Sequence, residues 1–252
     1  MLELVDVDVH YGPVQALRGI TMTVNDGEMV ALVGANGAGK TTSLRTISGM
    51  LTPTRGTITF DGERIDGKPP WKVIEHRVSH LPEGRALFTD MSVMDNLRLG
   101  AWTQHGERAF KRRVDEVMDH FPILRERSKQ AAGTLSGGEQ QMLGVARALM
   151  CDPKLLVVDE LSLGLAPKIV AQLFEILTTI NQTGTAVLMV EQFVHMALQH
   201  SHRAYVLAKG SVVIEGSARE MLDRPELLAA YLGEDEADGA DAHPAPAGAG
   251  AR

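Results

Sequence analysis

The chain of 252 residues contains a single cysteine, Cys151. No intramolecular disulfide can form, which suits a reducing compartment. Cys151 follows a helical apolar run with no catalytic context around it, and reads as a small packing residue. Uninterrupted apolar runs never approach the ~18 residues of a helical membrane span. The start, "MLELVDVDVHYG", lacks a basic segment followed by an apolar one, so no signal peptide is expected. A positive excess is missing as well. The net charge is −7, of which the last 20 residues, 233–252, carry −4. The nearly neutral remainder offers no bulk electrostatic grip on nucleic acid. That tail, rich in Ala, Gly, Pro and Asp and without aromatics, is expected to be disordered. No internal repeat is present. Residues 1–232 are expected to hold the folded part, at a length that suits one large α/β domain.

Three short continuous apolar runs, at 29–33, 155–158 and 186–190, suit strands buried on both faces, as in a parallel sheet covered by helices. Helix-like stretches fall at 40–49, 107–120, 138–150, 167–181 and 217–231. The alternating "LELVDVDV" at 2–9 predicts a half-buried strand in an added antiparallel layer. Hairpins are expected at 56–65, around Asp61-Gly62, and at 204–216, around Lys209-Gly210. The class is α/β.

"GANGAGKT", Gly34 to Thr41, fits the pattern G-x-x-x-x-G-K-[ST] and lies between a strand and a helix. Gly34, Gly37 and Gly39 let the backbone around Asn36 wrap phosphate oxygens. Lys40 brings a full charge to the β- and γ-phosphates, and Thr41 a hydroxyl for Mg2+. Thr42 continues the helix start, whose amides favour anions. "LLVVDE" ends a strand in Asp159, suited to hold Mg2+, and Glu160, suited to orient and polarise an attacking water. "TLSGGEQQMLGVARALM" opens a further helix at Ser136, Gly137 and Gly138, a second anion-reading start. Two such starts and one phosphate-loop lysine suit two copies face to face, each lending its Ser-Gly-Gly to the other's nucleotide.

These segments, in this order, resemble the nucleotide-binding subunit of an ABC transporter over about residues 1–232. "LPEGRALF", "LSLGLAP" and "VEQ" narrow the resemblance to the ATPases of bacterial branched-chain amino acid importers, of the shorter type. The resemblance implies a P-loop NTPase (RecA-like) core with an added antiparallel layer and a helical signature subdomain at about 90–150. It implies ATP and Mg2+ as ligands, and a cytoplasmic place on the inner face of the membrane. Its implied partners are integral-membrane permease subunits, a second ATPase as homo- or heterodimer, and indirectly an extracytoplasmic solute-binding protein. Tyr11 matches the aromatic that stacks on adenine. Glu83 matches the loop between the γ-phosphate site and the membrane subunit, where Gln is common. A carboxylate there calls for Mg2+, for a basic group such as Arg85, or for a basic residue of the membrane subunit. Leu163, Gly164 and Leu165 match the dimer-contact segment. Leu161 stands where Pro is usual, and should loosen that turn.

Gln192 falls where most of the family carries a histidine that contacts the γ-phosphate. Three readings remain open: Gln192 is a neutral γ-phosphate sensor across from Glu160, His195 reaches in from the next turn, or the site binds ATP and hydrolyses it poorly. His195, His200 and His202 otherwise suit helix faces or loops. Urea or amides are alternative cargoes, since the ATPase touches none. A weakly hydrolysing interaction module and a soluble ATPase acting on DNA or ribosomes are rivals. The last lacks its tandem cassettes and basic stripe.

Overall fold

The computed structural model describes residues 1–84, 86–224, 226 and 228. Arg85, the end of the stretch 217–231 and the acidic tail lie outside the described residues.

An antiparallel layer comes first. β1 (Leu2–Tyr11) runs between β2 (Val14–Val24) and β4 (Arg55–Phe60), and β4 turns back into β5 (Glu63–Arg64). Asp61 and Gly62 make that turn with φ of 50° and 80°, the left-handed pair that a two-residue hairpin needs. The main sheet has the order β10-β9-β3-β8-β7-β6. β3 (Met29–Val33), β6 (Val78–Leu81), β7 (Leu155–Asp159), β8 (Ala186–Val190) and β9 (Arg203–Ala208) are parallel in it. β10 (Ser211–Ser217) closes the edge antiparallel to β9.

Every residue of β3, β7 and β8 is buried, because each face of the sheet has its own core. Ala31, Val33, Leu156, Val158, Val187 and Met189 point into one of them, among helices. Their alternates Val30, Leu32, Leu155, Val157, Leu188 and Val190 point into the other, under the antiparallel layer. The period of two thus fills both cores from one continuous apolar run. Each valine, leucine or methionine among them stabilises the fold by about 1.5–3 kcal/mol.

α1 (Lys40–Ile47) follows β3, and the short α2 (Pro70–Val73) precedes β6. Between β6 and β7 lie α3 (Val93–Gly100), α4 (Glu107–His120), α5 (Pro122–Glu126) and α6 (Gly137–Leu149), which pack on one another. The approach of α3 to α6 requires glycine: a Cβ at Gly100 would stand 2.3 Å from the Arg147 carbonyl oxygen. α7 (Pro167–Gln182) leads to β8, α8 (Val194–His200) follows it, and α9 (Ala218–Leu222) follows β10.

The three apolar runs, both hairpins and the helices at 40–49, 107–120, 138–150 and 167–181 stand as the sequence predicts. β2, β6, α2, α3, α5 and α8 were not anticipated. β6 reads Val-Ser-His-Leu, where two polar residues break the apolar run. α3 and α8 have eight and seven residues, too few for a helical period to stand out.

Candidate nucleotide site

β3, β7 and β8 end on the same edge of the sheet, and each runs directly into polar residues. After β3 the chain wraps from Gly34 to Lys40. Gly37 and Gly39 take φ of 79° and 111°, which glycine adopts at little cost. Gly34 serves packing, because a Cβ there would stand 2.3 Å from the Leu207 carbonyl oxygen. No side chain caps the start of α1, so its first amides point outward unclaimed by a capping oxygen. Lys40 donates to the carbonyls of Gly34, at 2.6 Å, and Ala35, at 3.2 Å. Asn36, Gly37, Gly39, Lys40, Thr41 and Thr42, together with Ala16 and Glu160, line a pocket of about 190 Å3.

Thr41 donates its hydroxyl to Asp159 at 3.2 Å. Burial pushes the Asp159 carboxyl up to about 6; the Thr41 hydroxyl offsets this, while the charges of Glu160 and Glu83 add to it. A buried carboxylate beside a hydroxyl, with its proton affinity raised by burial and two acidic neighbours and only partly offset by the charge of Arg45, is an oxygen site suited to a cation. That fits Mg2+, which takes one or two protein oxygens and completes its shell with water and phosphate. Glu83 stays exposed in the turn after β6, and its basic neighbour in sequence, Arg85, lies outside the described residues.

Glu160 adopts φ 49°, a conformation uncommon for a residue with a Cβ. Its amide donates to the Val190 carbonyl at 2.9 Å. Gln192 donates its side-chain amide to Glu160 Oε2 at 3.0 Å. Gln192 therefore touches Glu160, where the sequence had set the two apart. His195 is turned to Gln199, one helical turn along, with Nε2 at 2.9 Å from its amide nitrogen. His200 meets Thr178 and the Phe174 ring, and His202 accepts the Met29 amide. None of the three histidines is among the residues that line the phosphate pocket.

Glu191 is 1% exposed. Its carboxylate accepts from the Ser162 amide at 3.3 Å and the Ser162 hydroxyl at 2.5 Å. Burial pushes the carboxyl up to about 7, while the Ser162 hydroxyl and the amides of Leu161 and Ser162 favour its charged form. Leu161 is equally buried and belongs to the helical-side core. The leucine side chain, seated in that core, anchors the turn where the sequence predicts loosening. Nothing local in the sequence announced the Glu191–Ser162 contact, which joins residues 29 apart.

Ser136 caps α6: its hydroxyl accepts from the Glu139 amide, and Glu139 accepts from the Ser136 amide. Glycine at 138 has a packing reason too, since a Cβ would stand 2.7 Å from Ile169 Cγ2. Tyr11 stands 44% exposed at the end of β1, in the hairpin whose second strand brings Ala16 to the phosphate pocket. Cys151 is buried and donates to the Ala148 carbonyl, and burial raises its thiol, as suits a packing residue.

Residues 17–162 match the ABC transporter family model. The chain belongs to the ABC transporter family. Over 233 residues, 92% of this chain and all of the relative, the ATPase is 42% identical to the high-affinity branched-chain amino acid transport ATP-binding protein BraG of Pseudomonas aeruginosa. It is 30% identical to BraF, a second ATP-binding protein of that name and organism, over 93% of this chain and 98% of the relative. The crystal structure of the ADP conformation of an ABC transporter's ATP-binding cassette superposes with a TM-score of 0.83 at 25% identity, covering 93% of this chain and 99% of that one. The architecture is that of an ABC cassette, and the chain is an ATPase that binds ATP. No helix among its described residues is long and apolar enough to cross a membrane.

Proposed function

We propose that this ATPase drives a branched-chain amino acid importer, held at the inner face of the membrane by permease subunits and paired with a second ATPase. The observation that carries the hydrolytic part is the meeting of Thr41, Asp159, Glu160 and Gln192 beside the phosphate loop. The cassette comprises residues 1–232, with its helical subdomain at about 90–150. Lys40 and the amides from Gly34 to Thr42 hold the phosphates, and Tyr11 stacks on the base. Thr41 and Asp159 hold Mg2+, with Glu83 as a further candidate; when bound, the ion neutralises charge on the phosphates. Glu160 accepts a proton from the attacking water and orients it. Gln192 fixes the Glu160 carboxylate and, as a neutral donor, reads the γ-phosphate.

Ser136, Gly137 and Gly138 approach the nucleotide of the paired subunit. Pairing with a different ATPase is supported by the two proteins, BraG and BraF, found in one organism. A cleft of about 370 Å3 lies beside β6 and carries Phe88, Leu99 and Trp102 among its lining. These exposed apolar residues, in the segment that follows Glu83, suit a permease helix. A solute-binding protein would act from the far side, through the permease alone.

The test is ATP hydrolysis by the full chain, alone and assembled with the permease, a second ATPase and a binding protein in vesicles. Turnover stimulated by leucine, isoleucine or valine is expected. Stimulation by urea or amides alone would overturn the cargo assignment, and an assembly that binds ATP without hydrolysing it would leave only an interaction module.

A further inference from the structure

Two segments remote in sequence are stitched together residue by residue at the edge of the sheet. Val190 accepts from the Glu160 amide, Glu191 accepts from Ser162, and Gln192 donates to Glu160. The middle contact is the unusual one. Glu191 is buried next to apolar Val190 and Val194, and no ion pair to it is found among the described residues. A buried carboxylate without a cation is costly, and an apolar side chain would fill the space without that cost. What compensates it is a pair of neutral donors, the amide and the hydroxyl of Ser162, two residues after Glu160.

We propose that Glu191 is a positioning residue for ATP hydrolysis: it clamps Ser162 and so holds Glu160 where Gln192 reaches it. Glu160 has its uncommon φ of 49° bracketed on both sides. Its own amide is tied to Val190, and Ser162, two residues on, is tied to Glu191. Residues in sparsely populated conformations persist only where their surroundings over-determine them. With the clamp released, Glu160 relaxes to negative φ and its carboxylate leaves both the phosphate pocket and Gln192. Glu191 is not among the residues that line the phosphate pocket, so ATP binding should not depend on it.

The inference rests on the reading of Glu160 as the group that orients water, and the test separates the two. Glu191→Gln keeps the side-chain volume but replaces one carboxylate oxygen by an NH2 group that can only donate, so the short bond from the Ser162 hydroxyl is lost or reversed and the charge that strengthens both contacts is gone. Turnover of the full chain should fall between about tenfold and about a hundredfold, the scale of a misplaced catalytic group. KM for ATP and equilibrium ATP binding should stay within about threefold, because no ground-state contact is lost. Ser162→Ala removes one leg of the clamp; it should lower kcat in the same direction, also at constant KM. The double variant should be no slower than Glu191→Gln alone, since both act through one contact. Wild-type kcat in Glu191→Gln, or losses that simply add, would overturn the clamp. If Glu191→Gln fails to fold, Ser162→Ala decides alone: an unchanged kcat refutes the proposal. Glu160→Gln serves as the control. Turnover kept in that variant means that the role of Glu160 is wrong; turnover lost there but kept in Glu191→Gln and Ser162→Ala means that only the clamp is wrong.

Discussion

Replacing Gln192 with alanine removes one donor from Glu160 Oε2, a hydrogen bond of 3.0 Å. A hydrogen bond to a charged group contributes about 1.5–3 kcal/mol. Gln192 is exposed and water competes for the same oxygen, so the lower part of that range or slightly less applies, about 1–1.5 kcal/mol. If the bond orients the Glu160 carboxylate in the transition state, its loss lowers kcat by roughly five- to fifteenfold. Any contact of Gln192 with the γ-phosphate adds to this. ATP binding should change little, because Lys40 and the loop amides hold the phosphates. His195 is the built-in comparison: its ring is engaged with Gln199 on its own helix, so His195→Ala should leave kcat within about twofold. The assay is steady-state and single-turnover ATP hydrolysis of both variants beside wild type. A larger loss in His195→Ala than in Gln192→Ala would refute the assignment. Equal turnover of Gln192→Ala and wild type would reduce the 3.0 Å bond to a surface contact.

Glu160→Gln should bind ATP normally, lose about a hundred- to a thousandfold in turnover as a missing general base does, and accumulate as a nucleotide-held dimer by light scattering; a monomer with ATP bound would contradict pairing through the nucleotide. Gly39→Ala should weaken ATP binding by about tenfold or more, because L residues avoid its φ of 111° and a Cβ would stand 2.7 Å from Leu17 Cδ2; titration with a fluorescent ATP analogue reads this. The acid stability of the fold should depend on His80, whose buried ring sits beside Ser48, with burial and the charge of Arg45 lowering it to about 4. Because the unfolded chain takes up that proton first, stability is complete above pH ~6.5 and falls with pH toward ~4. Urea unfolding at pH 5 should therefore show about 2 kcal/mol less stability than at pH 7 from this group. His80→Gln should flatten that slope, and an equal slope in the variant would clear His80 of the effect.

Short-range chemistry was legible in the sequence. The phosphate loop declares itself because its glycines and lysine serve their own backbone neighbourhood. β3, β7 and β8 declare themselves because burial on both faces demands an unbroken apolar run. The caps and the two hairpins follow from residues within four positions of each other. β6 stayed hidden, since Ser79 and His80 find their partners on Ala148 and Ser48, far off in the chain. The same holds for the site. That Asp159, Glu160 and Gln192 end strands was readable; that Gln192 grips Glu160, across 32 residues, was not. Neither the burial of Glu191 nor its donors was legible locally, because a carboxylate at a strand end looks alike whether it meets water or Ser162. Only the adjacency of β7 and β8 decides that, and that adjacency comes from the packing of two cores on one sheet.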